Sequence, residues 1–223
     1  MDYKITEIQV ALFFSSIDVS SKLKLASFIT KSGEGQLDID PTLLPFIPDA
    51  PPEIPLITID NNRSGWKFQL SKARCDLVAP IKDKNTLEEE KNAFNEVREY
   101  ILSIMQGLSK DFAARFYRIG LIPRFISKEE LENANQLFSN KFLKTTYSSD
   151  IVESRLHVLK KFEAGPFKLN QWIRINSTAN QKFILEIDLN NQFEEKIDLN
   201  AELTRVFFEI ATPIIFKTVK DHQ

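Results

Sequence analysis

Alternation of apolar and polar residues dominates this chain, interrupted by segments whose apolar residues recur every three or four positions. Between Ile5 and Phe14, the residues Ile8, Val10, Leu12 and Phe14 alternate with Glu7, Gln9, Ala11 and Phe13, which predicts a strand. Asp18 or Ser20 is then placed to cap a short helix carrying Leu23, Ala26, Phe28 and Ile29, with Gly33 and Gly35 ending it. Six prolines between 41 and 55 restrict their own φ angles and disfavour helix in the residues before them, so this stretch reads as an extended covering loop. The Pro45 and Pro48 spacing is read as part of that loop rather than as a polyproline recognition motif. Leu56–Asp60, Gly65–Leu70 and Arg74–Ala79 alternate again, with Asn61-Asn62 turning the first into the second. Thr86 with Glu89 forms a capping box ahead of Phe94, Val97, Ile101, Ile104 and Leu108, the buried stripe of a long helix.

The same order then returns. Phe112 to Phe125 predicts a strand bent or bulged at Gly120. Ser127-Lys128-Glu129-Glu130 has the composition of a helix start, with Leu131, Ala134, Leu137 and Phe138 as its apolar stripe, and a polar loop follows at Tyr147 to Asp150. Val152–Glu163, Phe167–Asn176 and Lys182–Leu189 alternate strongly, joined by turns at Ala164-Gly165-Pro166 and Thr178-Ala179-Asn180. Asp198 is placed to cap a last helix whose Leu203, Val206, Phe207, Ile210 and Ile214 share a face and which Pro213 should kink or shorten. The expectation is an α+β protein of two similar halves, 1–110 and 111–223, forming one compact unit. Each half reads strand, helix, three strands, helix, with helices packed on one face of an antiparallel sheet.

Composition narrows the function classes. The 43% hydrophobic and 27% charged residues suit a folded globular chain, and 18 Phe against 6 Gly point to a core of aromatic rings. A net charge of -2 and a pI near 5.8 disfavour a general nucleic-acid binder, although a local basic face remains compatible with them. Cys75 is the single cysteine, so neither an internal disulfide nor a cysteine-rich zinc site can form. The chain opens without a basic segment followed by an apolar run, and no stretch reaches the roughly 18 to 20 apolar residues that cross a bilayer. A cytoplasmic protein without a membrane partner is expected.

Strand parity supplies the candidate site. Phe167, Leu169, Ile173 and Ile175 take one face of their strand, and Lys168, Asn170, Trp172, Arg174 and Asn176 take the other. Arg155, His157 and Lys161 share a parity on the preceding strand. Trp172, Arg174, Lys168, Arg155, His157 and Lys161 therefore form a candidate binding face for an acidic protein segment or a nucleic-acid backbone. Catalytic readings are weaker. His157 lies on a strand and His222 near the end of the sequence, Cys75 reads as buried, and the Glu88-Glu89-Glu90, Glu129-Glu130-Glu132 and Glu194-Glu195 groups suit helix starts and turns. Glu186 and Asp188 share a strand face at a spacing too common to argue for metal catalysis. There is no phosphate-cradling glycine loop and no G-x-S-x-G elbow, so no cofactor, metal or catalytic residue is assigned.

Phe116-Tyr117-Arg118-Ile119-Gly120-Leu121-Ile122 after a long helix, then Leu185-Glu186-Ile187-Asp188-Leu189 and a Phe-rich terminal helix, resembles a sporadically distributed family of uncharacterised bacterial proteins. The resemblance implies a bacterial setting and transfers no catalytic residues. A strand, helix, sheet and helix arranged twice is also similar in outline to the saddle of TATA-binding proteins, an analogy of fold that carries no function. The functional expectation is a protein-binding or adaptor module whose partner is another protein or a second copy of the chain. Single-stranded nucleic-acid binding through the same face is the alternative, and a divergent enzyme with acidic residues in a cleft between the halves is a third reading.

Overall fold

The computed structural model describes residues 2–33, 35–45, 49–82, 84, 86–129, 134–143, 153–177, 182–192 and 197–223, with the side chains of 136 and 143 excepted. Its centre is β1 (Tyr3–Ser16), which pairs antiparallel with β6 (Arg115–Ser127) through Val10↔Leu121 and Leu12↔Ile119. On one side of β1 lie β5 (Arg74–Pro80), β4 (Lys67–Leu70), β3 (Ile57–Asp60) and β2 (Thr42–Leu43). Beyond β6 lie β9 (Phe183–Asn191), β8 (Phe167–Ser177) and β7 (Ser154–Ala164). Among the described residues the result is one nine-stranded antiparallel sheet in the order β2-β3-β4-β5-β1-β6-β9-β8-β7, and it contains strands from both parts of the chain. Among the described residues four helical segments accompany it: α1 (Lys22–Ser32), α2 (Leu87–Phe112), α3 (Ala134–Phe138, continuing as a π turn over Ser139–Leu143) and α4 (Ala201–Asp221).

One strand parity is predominantly apolar, with Ser127, Gln171, Ser177 and Asn191 as buried polar members. Ile8, Val10 and Leu12 of β1, Cys75 and Leu77 of β5, Ile119 and Leu121 of β6, and Leu185, Ile187 and Leu189 of β9 are buried in one cluster with Leu25, Ile101 and Phe207 from the helices. Burial of that many large side chains is the main favourable term in folding, at about 1.5–3 kcal/mol each. The helices are locked to the sheet and to one another by specific contacts. Phe94 of α2 meets Phe216 of α4 at 5.4 Å, Phe207 of α4 meets Phe167 of β8 edge-on at 5.6 Å, and Gln171 Nε2 donates to Thr218 Oγ1 at 2.7 Å. At Gly107 a Cβ would stand 2.0 Å from Phe28 Cζ, so the glycine lets α1 approach α2 closely.

The capping box at the start of α2 forms as the sequence predicts, with Thr86 Oγ1 accepting from the Glu89 N–H and Glu89 Oε2 accepting from the Thr86 N–H. Glu90 adds a tie, accepting from the Ile5 N–H at 3.1 Å. Several local expectations are corrected. Ser21 rather than Asp18 or Ser20 occupies the N-cap of α1, while Asp18 accepts from the Ser20 N–H in a local turn, and Leu23 is 75% exposed instead of buried. The strand after α2 begins at Arg115, because α2 runs to Phe112. Of the three register shifts between β1 and β6, the one that adds a residue to β6 lies at Tyr117, where the register passes from Phe13↔Arg118 to Phe14↔Phe116, and Gly120 pairs regularly with Ala11. Asn200 rather than Asp198 caps α4, accepting from the Leu203 N–H at 2.8 Å. Pro213 neither ends nor shortens α4, which continues to Asp221. Tertiary packing of Phe207, Phe208, Ala211 and Ile215 outweighs the roughly 3 kcal/mol that an interior proline costs an isolated helix. That buried face differs from the expected one: Leu203, Val206, Ile210 and Ile214 are only partly buried. Leu137 of α3 is exposed. Leu131, the loop at 147–150, the turn at 178–180, Glu194-Glu195 and Pro48 lie outside the described residues.

Candidate functional site

Residues directly opposite in an antiparallel pair share a face. The β7–β8 register, Arg155↔Asn176, His157↔Arg174, Leu159↔Trp172, Lys161↔Asn170 and Glu163↔Lys168, therefore places all six residues of the candidate face on one side of the sheet. The hairpin that sets this register turns at Gly165, whose φ of +56° suits a residue without a Cβ.

The structure gives two of these cations, Arg174 and Arg155, carboxylate partners. Arg174 Nη1 donates to Glu186 Oε1 at 2.6 Å and its Nη2 to Asp188 Oδ2 at 3.2 Å. Glu186 Oε2 in turn accepts from Arg124 Nη2 at 3.0 Å, and Arg124 Nη1 stands 3.5 Å from Glu7 Oε1. A ladder of alternating charge thus crosses four adjacent strands, β8, β9, β6 and β1. Burial alone would raise the Glu186 pKa, but hydrogen bonds and charge from Arg124 and Arg174 outweigh it and hold the carboxyl below its ordinary value. Arg155 is held by Glu153, Nε to Oε1 at 3.0 Å. The Arg174 guanidinium also lies 6.0 Å from the centre of the Trp172 ring.

A second polar cluster adjoins the ladder. Asn190 Nδ2 donates to Asp188 at 2.8 Å, Arg118 Nη2 donates to Asn190 Oδ1 at 3.0 Å, and the Arg118 guanidinium stacks 5.0 Å over Phe13. Arg118 Nε and Asn170 Oδ1 are buried without a hydrogen-bond partner among the described residues. Arg124, Arg118, Asn190 and Phe13 were not singled out from sequence. Opposite charges at matching parity on different strands are the available signal, but it becomes usable only once the strand order is known.

Other candidates resolve differently. Cys75 is buried, and burial pushes its thiol up, so it is not poised as a nucleophile. His157 is exposed, and His222 Nδ1 lies 2.7 Å from the Thr218 carbonyl oxygen of its own helix. Among the described residues no group of three or more His, Cys, Asp or Glu is arranged to hold a metal ion. No described helix is long and apolar enough to cross a membrane. A cleft of about 730 Å³ runs between α2, α4 and the start of β1, with Tyr3, Glu90, Lys128, Phe216 and Lys220 in its wall. Burial raises the Glu90 pKa there, but the Glu90 oxygen already serves the Ile5 N–H, and burial pushes Tyr3 up to about 12.

At the far end of the sheet from β2, all 11 residues of β7 pair with β8 on one side, while the other side is the sheet edge. Val158 and Leu159 are 36% and 39% exposed on this strand. Compared with known proteins, the chain matches no family model, and no curated protein matches it.

Proposed function

We propose that the chain is a non-enzymatic binding module that engages a protein partner across the sheet face carrying Trp172, Arg174, Lys168, Arg155, His157 and Lys161. The reading takes the molecule as two similar halves whose helices cover the opposite face. Its support is the strand order, in which β3-β4-β5-β1 and β7-β8-β9-β6 run outward as mirror sequences from the β1–β6 pair.

The observation that favours a protein partner over a nucleic acid is the pairing of Arg174 with Glu186 and Asp188 and of Arg124 with Glu186. A phosphate backbone gains affinity by neutralising free cations and releasing counterions, and here each arginine would first have to surrender a carboxylate. A mixed-charge, aromatic-bearing surface held rigid by strand pairing instead suits a protein segment that offers both signs of charge and an apolar anchor for Trp172.

The test is purification of the tagged full chain from its native cell with and without nuclease, beside Trp172→Ala and Lys168→Glu variants whose folding is checked by thermal melting. A partner protein that survives nuclease and is lost from both variants supports the reading. Partners retained by both variants, or binding that disappears with nuclease and falls steeply with salt, would overturn it.

A further inference from the structure

Beta-strand edges invite pairing, and β7 is an 11-residue edge whose outward backbone groups have no strand partner among the described residues. From its side-chain pattern we infer that β7 pairs antiparallel with β7 of a second copy, centred on Leu159, joining two nine-stranded sheets into one. This inference rests on the edge, not on the partner-binding reading of the sheet face.

The sequence Ser154-Arg-Leu-His-Val-Leu-Lys-Lys-Phe-Glu-Ala164 is self-complementary about its centre. With Leu159 opposite its own copy, Arg155 faces Glu163 of the second copy, and by symmetry Glu163 faces Arg155. Both lie on the Trp172 side of the sheet, as the β7–β8 register requires. The row then reads Lys168, Glu163, Arg155, Asn176 across four strands, with signs alternating where the copies meet. Arg155 already holds Glu153 of its own chain and would be flanked by two carboxylates. On the other side Leu156 meets Phe162, two residues packed against the core that would extend it across the junction. In the middle, Leu159 meets Leu159 with a Trp172 on either side, since Leu159 and Trp172 are direct neighbours in the register. The less complementary appositions are His157 with Lys161 and, on the other side, Val158 with Lys160.

Slipping the pair by two residues removes this match. One slip sets Lys160 against Lys160, and the other sets Arg155 against Lys161, like charges directly opposite in both cases. A slip by one residue would carry each apolar residue to the wrong face. The Leu159-centred register is therefore the one the sequence of β7 selects.

Cysteine crosslinking reads the register directly, because Cys75 is the single native cysteine and is buried. In the proposed pair, Leu159→Cys places two thiols opposite each other, at a Cβ separation of about 4.5–5.5 Å. Arg155→Cys places its two thiols eight residues apart along the strand direction, about 27 Å at 3.4 Å per residue. The full-length protein, sized by light scattering at concentrations up to about 100 µM, is expected to be a dimer. Mild oxidation should trap Leu159→Cys as a covalent dimer and leave Arg155→Cys largely uncrosslinked. Glu163→Arg should weaken the dimer at least tenfold by opposing two arginine pairs, with its melting profile showing a folded chain. A monomer at all these concentrations would overturn the proposal, as would a dimer that crosslinks equally at both positions or not at 159.

Discussion

The two edges of the sheet are built on opposite plans. At one end β2 has two residues, Thr42 and Leu43, with Pro41 before it and Pro45 close behind. At the other, β7 runs for 11 residues without a proline and exposes Val158 and Leu159. Shortness and proline are means by which proteins close a sheet edge to further strands, since proline removes the N–H that a new neighbour would need. β7 has only its charged side chains for that purpose, and those are ordered so as to match a second β7. The contrast teaches that an open edge becomes specific when its side chains prescribe one register, and that a closed edge can be left to irregular chain.

The sharpest way to break this contrast is proline on β7. Alternate N–H groups of an edge strand point to its neighbour and to the outside, so Val158→Pro and Leu159→Pro should differ in kind. One deletes a β7–β8 ladder bond and is expected to cost about 1–3 kcal/mol in denaturant unfolding. The other should leave stability nearly unchanged while abolishing dimerisation in light scattering. Two variants with the same stability and the same oligomeric state would remove the basis of the comparison.

Next in size is Gly165→Ala, at the turn that sets the β7–β8 register. The residue has φ +56°, and its new Cβ would come 2.6 Å from Ile210 Cδ1. A loss of about 1–2 kcal/mol is expected, as for a side chain forced into a left-handed conformation, and would be read as a lower denaturation midpoint. A stabilised variant would show that the turn conformation is not required.

A smaller effect should appear with pH, in the charge ladder that supports the β7 end. The Glu186 carboxyl sits below its ordinary value of 4.5 in the folded chain, so it contributes stability that is fully present above that value and is lost as pH falls through the lower, folded value. The stability advantage of wild type over Glu186→Gln should therefore narrow as the solution is acidified below about 4.5, the unfolded reference. The exposed Lys67–Asp60 pair near the β2 end, at 3.0 Å, should show at most about 1 kcal/mol of loss in Asp60→Asn. An advantage for wild type that grows on acidification would contradict the ladder. The least effect is expected from Thr42→Lys at the exposed position of β2, within about 0.5 kcal/mol of wild type, with the oligomeric state unchanged.

Much of this architecture was legible because each strand carries its own period-two pattern. Phe167, Leu169, Ile173 and Ile175 declare a buried face without reference to any other strand, and Thr86 with Glu89 declares a helix start within four residues. The failures occur where a neighbour decides. Tyr117 forms the bulge because β1 and β6 differ locally in residue count, and Gly120 was the plausible candidate only in isolation. Leu23 satisfies helical spacing yet stays exposed at 75%, while Leu25 two residues later takes the buried place. Pro213 reads as a kink or an early end by propensity, and α4 nevertheless continues to Asp221 on the packing of Phe207, Phe208 and Ile215.

The sequence by itself determined most of the elements and their order, the apolar parity of most strands and the set of side chains on the Trp172 face, but not the short β2, which lies in the stretch 41–55 that reads as an extended loop. Those properties follow from local sterics and from a periodicity that each segment carries internally. Only the tertiary structure decided that β1 lies beside β6, that β7 and β2 form the two edges, and that Arg174 meets Glu186 while Glu186 meets Arg124. Pairings of this kind depend on loop closure across 62 residues between Arg124 and Glu186 and 118 between Thr6 and Arg124, and on register between strands whose alternating patterns are interchangeable in sequence. For that reason the candidate face could be written down as a row of cations from the sequence, and Arg174 became one rung of a compensated ladder only when the strands were set side by side.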